Sequence, residues 1–179
     1  NPDMLIDFNA VAQGYSVDVL CSYIESKGIT AYLVDIGGEV YARGKKPDGS
    51  KWRVGIEKPA ETALSQREIE VVVPLEDKAM ATSGSYRKFY EEDGIRYSHT
   101  IDPFTGYPVT HSLLSVTVIA ENCTLADGYA TAFMVMGLER SMEFLDKRDD
   151  LEAFFIFSTG TGEYDIAYTK GMGTMIGKD

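Results

Sequence analysis

The sequence holds few of the residues that most often mark a catalytic or metal centre: two cysteines, two histidines and one tryptophan in 179 residues. Cys21 and Cys123 lie far apart and form no C-x-x-C pair, so a thiolate zinc site is excluded. Two reduced, mostly buried thiols are expected, with a Cys21–Cys123 disulfide left open. Positive charge is scarce, since 17 Lys and Arg stand against 28 Asp and Glu for a formal net charge of −11. A surface this acidic has no basic patch for a phosphate backbone, which excludes nucleic acid as a partner. No apolar run approaches the roughly 20 residues of a membrane-spanning helix. P-loop, G-x-G-x-x-G, G-x-S-x-G, H-E-x-x-H and EF-hand patterns are all absent. A signal peptide is absent too and the first residue is Asn, so a processed or truncated chain is expected.

What is present suits a folded chain. Hydrophobic residues make up 44% and charged residues 25%, which argues for one packed domain and against disorder. The shortage of cations also carries a chemical consequence. A phosphorylated ligand would need a metal ion as its counter-charge.

Alternating and periodic stretches predict a strand at Leu5–Phe8, a helix from Ala10 to Lys27, and strands at Ala31–Ile36, Val40–Arg43, Lys51–Glu57, Glu68–Leu75 and Lys78–Ser83. The helix would bury Val17, Leu20, Cys21 and Ile24. Further strands follow at Tyr86–Glu91, Ile95–Thr100 and Leu113–Ala120, then helices at Thr124–Met136 and Leu138–Lys147. Leu151–Ser158 and Tyr164–Lys170 close the chain as a hairpin. Many hairpin-linked strands with interspersed helices indicate an α+β fold with mostly antiparallel sheets.

Three segments carry candidate chemistry. In Thr124–Ala132, Asp127 and Thr131 are four apart and share a helix face, with small Gly128, Ala130 and Ala132 around them. An N-cap at Thr124 would make Asp127 a capping-box residue; alternatively the two oxygens suit a hard cation such as Mg²⁺. His99 ends a strand beside a Pro/Gly-rich loop, where a histidine acts either as a proton acceptor or as a structural partner of the backbone. His111 has no such setting and is expected at the surface. Asp7, Asn9 and Gln13 open the first helix, with Asn9 a candidate N-cap. Val34–Gly38 reads as a weak nucleotide signal or a tight turn, and Ala81–Arg87 offers hydroxyls to a phosphate or a turn.

Taken in order, Asp7–Tyr15, Leu33–Gly38, Trp52–Pro59 (W-R-V-G-I-E-K-P), Ala81–Arg87 (A-T-S-G-S-Y-R), Tyr97–Val109 and Ser115–Ala132 resemble the ApbE family of FAD:protein FMN transferases. The resemblance implies an ApbE-like, T-fold-like architecture. It implies Mg²⁺-dependent splitting of the FAD pyrophosphate, a phosphoester bond from FMN to a Thr or Ser of an acceptor protein such as a membrane redox-pump subunit, and release of AMP. Asp127 and Thr131 match the metal ligands, and Ala10 supplies a third through its backbone carbonyl. Asp7, Gln13 and Ile101 match positions along FAD, although Gln13 stands where a charged residue is common. His99 and Asp127 match the catalytic positions. Family proteins are much longer, so residues 1–179 are expected to be the C-terminal part of a single domain whose N-terminal half is missing. The family's usual setting is extracytoplasmic or periplasmic, with a lipid anchor at the membrane. A Mg²⁺-dependent FAD pyrophosphatase and a non-catalytic FAD-binding module are the alternatives.

Overall fold

A computed structural model describes residues 6–59, 68–84, 89–92, 95–98, 101–109, 111–160 and 163–177, with backbone alone for 89–92 and 95–98. In chain order the elements are α1 (Ala12–Ser26), β1 (Tyr32–Ile36), β2 (Glu39–Arg43), β3 (Trp52–Glu57), β4 (Ile69–Leu75), β5 (Lys78–Gly84) and β6 (Phe89–Glu92). They continue with β7 (Ile95–Ser98), β8 (Leu113–Ala120), α2 (Cys123–Met136), α3 (Leu138–Leu145), β9 (Glu152–Ser158), β10 (Tyr164–Tyr168) and α4 (Lys170–Ile176). Six strands form one sheet in the order β1-β2-β5-β8-β9-β10, and every neighbouring pair is antiparallel. The hairpins β3–β4 and β6–β7 stand apart as two-stranded sheets.

Both faces of the large sheet are buried, and strand alternation sorts side chains between two cores. Ala79, Ala81, Val116, Val118, Ala120, Ala153 and Phe155 point to one side, where Val17 and Cys21 of α1, Ala126, Ala130 and Phe133 of α2 and Leu145 of α3 cover them. Met80, Ile119, Phe154 and Ile156 point to the other, under Ile56, Val73 and Leu75 of the β3–β4 hairpin and Met172 of α4. The alanines matter for position. Ala79 and Ala81 of β5 and Ala126 and Ala130 of α2 carry only methyl groups, so little side-chain bulk separates strand from helix there.

Several expectations change. Residues 6–8 form no strand, because the Asp7 carboxylate takes the Asn9 N–H at 2.7 Å and turns the chain there. The N-cap of α1 is Val11 rather than Asn9, and that of α2 is Asn122, whose side chain accepts the Leu125 N–H at 2.9 Å. Thr124 therefore lies inside α2, and Asp127 is no capping-box residue of its own helix. Leu20 is exposed. His111 is half-buried, with Nδ1 accepting the Leu113 N–H and Nε2 lying 2.5 Å from the Met134 carbonyl oxygen, so the ring closes the end of α2.

Helix α4 was not expected from its glycine-containing sequence. Its start is held by Glu152, which accepts the Met172 N–H at 3.0 Å and the Thr169 hydroxyl.

Candidate functional site

The site grows from the way α1 and α2 meet. Each helix begins with N–H groups that have no partner within the helix. Val11 offers α1 no side-chain acceptor. That role falls to Asp127 of α2, whose Oδ2 accepts the Gly14 N–H at 2.9 Å. The contact is close because residue 14 lacks a side chain. A Cβ there would lie 2.3 Å from the Cys123 carbonyl oxygen and 2.8 Å from the Asp127 Cβ. Gly128 continues the seam, where a Cβ would meet Val11 at 3.2 Å.

Asp127 is 6% exposed, and burial pushes its carboxyl up from the ordinary value, with the Gly14 N–H acting in the opposite direction. Its Oδ1 has no hydrogen bond among the described residues. One turn further along α2, the Thr131 hydroxyl lies 3.1 Å from that of Ser83 on β5. The neighbouring Thr82 instead pairs with Thr117 at 2.8 Å. Asp127 and Thr131 therefore project together from one helix face, against the start of α1 and the end of β5.

The other sequence candidates fall into three groups. Ala10 is exposed in the turn leading into α1, one residue from the Val11 that packs near Gly128. Gln13 is exposed on the first turn of α1, and its Nε2 lies over Gly37, where a Cβ would be only 2.1 Å away. That glycine and Gly38 have φ of 70° and 110° and form the β1–β2 hairpin turn, with Asp35 accepting the Gly38 N–H. Asp7 is exposed and engaged with Asn9 through both carboxylate oxygens. These residues share the region where α1 begins.

Ile101 is placed differently. It is exposed at the edge of a compact turn, bridged to Pro108, with Asp102 accepting the Phe104 N–H at 2.8 Å. The described contacts do not join it to Asp127. His99 lies outside the described residues.

Asp18 was not singled out from sequence. It is half-buried, and its carboxylate accepts the Cys123 and Thr124 N–H groups, each at 2.8 Å, and the Thr124 hydroxyl. No local signal marks it, because the N–H groups it receives lie more than 100 residues later in the chain.

Oxygen donors suit Mg²⁺, which is held by one or two carboxylates and completed by water and phosphate oxygens. Among the described residues no group of three or more His, Cys, Asp or Glu side chains is placed to hold a metal. The Asp127 carboxylate and the Thr131 hydroxyl, on one face of α2, are oxygen donors of the kind such an ion takes.

The family model for the ApbE family matches residues 1–155. A FAD:protein FMN transferase of Vibrio cholerae is 47% identical over 166 residues, 93% of this chain and 48% of the relative. That of Salmonella typhimurium is 42% identical over 161 residues, 90% of this chain and 45% of the relative. The crystal structure of Pseudomonas stutzeri flavinyl transferase ApbE in its apo form superposes with a TM-score of 0.81 at 40% identity, covering 96% of this chain and 52% of that one. The Thermotoga maritima ApbE protein gives 0.81 at 29% identity, over 96% and 53%. The chain thus spans about half the length of the relatives it matches.

Proposed function

The chain belongs to the ApbE family, and from that premise we propose that it is the C-terminal part of a Mg²⁺-dependent FAD:protein FMN transferase. The observation that carries the reading is the pairing of Asp127 and Thr131 on one face of α2, against the first turn of α1. Two relatives bearing the transferase name match 93% and 90% of this chain, which supports the same activity here.

In this reading Asp127, Thr131 and the Ala10 carbonyl hold the ion. When bound, Mg²⁺ supplies Lewis-acid neutralisation of the pyrophosphate oxygens. The protein's own work is then mostly positioning, as in other phosphoryl transfers. Asp7, Gln13 and Ile101 contact FAD. His99 takes the proton of the acceptor Thr or Ser hydroxyl, whose oxygen forms the new bond to the FMN phosphorus. The phosphoanhydride bond breaks and AMP leaves. The resemblance also supports an extracytoplasmic, lipid-anchored setting.

Water in place of the acceptor hydroxyl would make the same site a pyrophosphatase. Incubation with FAD and Mg²⁺, with and without an acceptor domain, separates the two. The transferase gives a fluorescent flavin band that survives denaturing electrophoresis. Free FMN with an unlabelled acceptor would contradict it.

A further inference from the structure

The helices α1 and α2 cap each other. Asp127 on α2 receives the N–H of Gly14 at the start of α1, and Asp18 on α1 receives the N–H groups of Cys123 and Thr124 at the start of α2. Each carboxylate sits four residues beyond the position at which its own helix is held. The four residues therefore close a ring: Gly14 to Asp18 along α1, Asp18 to Cys123 across, Cys123 to Asp127 along α2, and Asp127 back to Gly14. Both carboxylates face helix N-termini, where negative charge is favoured.

The two halves of this ring differ in what they leave open. Asp18 uses both oxygens, Oδ1 on Cys123 and Oδ2 on Thr124. Asp127 uses Oδ2 alone. One carboxylate is thus fully spent on holding α2, and the other is held while keeping an oxygen for a ligand. The first turn of α2 is where leverage on Asp127 is greatest, since Asp127 follows Cys123 by a single turn.

We propose that Asp18 is a positioning residue for the Asp127–Thr131 site, fixing the register of α2 against α1 and with it the direction of the Asp127 carboxylate. This rests on the reading that Asp127 and Thr131 hold a divalent ion. Asp18 touches neither ion nor substrate. Outer groups that hydrogen-bond a metal ligand directly cost about tenfold or more in metal affinity when removed, and Asp18, acting through the first turn of α2, belongs at the low end of that range.

Asp18 and Thr124 border an open cavity of about 550 Å³ rather than the sealed core. Substitutions there leave no enclosed void, and the Asn122 cap of α2 remains. The variants Asp18→Ala, Asp18→Asn, Thr124→Val and Asp127→Ala are compared with the unchanged protein. The measurements are the Mn²⁺ dissociation constant, by electron paramagnetic resonance well below each melting temperature, and the KM for FAD at saturating Mn²⁺.

Asp18→Ala is expected to weaken Mn²⁺ about tenfold. Asp18→Asn, which keeps one accepting oxygen, and Thr124→Val, which removes one of three hydrogen bonds, fall between it and the unchanged protein. KM for FAD at saturating Mn²⁺ stays within about twofold, because Asp18 acts on the ion's ligand alone. A purely structural cap would lower the melting temperature and leave the Mn²⁺ constant of the folded protein unchanged, and that result overturns the proposal. If Asp18→Ala does not fold, Asp18→Asn and Thr124→Val carry the same comparison. Retention of Mn²⁺ binding by Asp127→Ala would instead overturn the metal-site reading itself.

Discussion

The backbone N–H of Gly14 donates to Oδ2 of Asp127 at 2.9 Å, joining positions 113 residues apart. This bond makes one carboxylate serve two purposes. It caps a helix whose own N-cap has no acceptor, and it holds Asp127 by one oxygen while the second has no hydrogen bond among the described residues. The glycine is as necessary as the aspartate, because any side chain at 14 meets the Cys123 backbone.

Gly14→Ala is therefore expected to destabilise despite the better helix propensity of alanine. The added methyl would lie 2.3 Å from the Cys123 carbonyl oxygen, and backbone cannot rotate away as a side chain can. Overpacking of this kind costs about 1–3 kcal/mol. Urea denaturation measures it; a variant as stable as the unchanged protein would mean that α1 and α2 have room to part.

Asp127→Asn separates stability from function. Burial raises the Asp127 carboxyl above its usual value, so the folded, metal-free protein holds this proton more tightly than the unfolded chain. Asp127 thus favours folding at low pH, and that contribution is lost as pH rises from the ordinary carboxylate value through the raised one. Asparagine keeps an oxygen for the Gly14 N–H and carries no charge. In chelator at neutral pH the variant should melt at or above the temperature of the unchanged protein, and lose the stabilisation that added Mg²⁺ gives. A variant that melts lower in chelator would contradict the assigned cost of burying this charge.

Both thiols should be silent in the native protein. Cys21 and Cys123 are free and buried, and burial pushes both thiols up. Reaction rate follows the thiolate fraction and access. Titration with a chromogenic disulfide near neutral pH should find neither thiol before urea is added and both afterwards. Prompt reaction of either in the native state would place it at an accessible surface.

Much of the fold was legible because strand periodicity is local. Leu113–Ala120 matches β8 at both ends, and Gly137 divides α2 from α3 as expected, whereas the cap of α2 is Asn122 rather than Thr124. Some misses were local, as at the Asp7–Asn9 turn and the Asn122 cap, and two had a decisive partner further away in sequence. Nothing within residues 170–176 explains α4, since Glu152 and the core around Met172 hold it. Nothing near Asp18 tells that its carboxylate receives N–H groups more than 100 residues later. Asp127 and Thr131 were legible as a pair by their spacing. That the third neighbour of this pair is the N–H of Gly14 became visible only once the helices were packed.

The central claim is tested most directly by FMN transfer from FAD to an acceptor protein carrying the target Thr or Ser, followed by in-gel flavin fluorescence across a Mg²⁺ titration. The unchanged protein should label the acceptor only with the divalent ion present, Thr131→Val should need more Mg²⁺, and Asp127→Ala should give no band at any Mg²⁺ concentration. Labelling by Asp127→Ala at the unchanged rate, or undiminished labelling in excess chelator, would contradict the assignment.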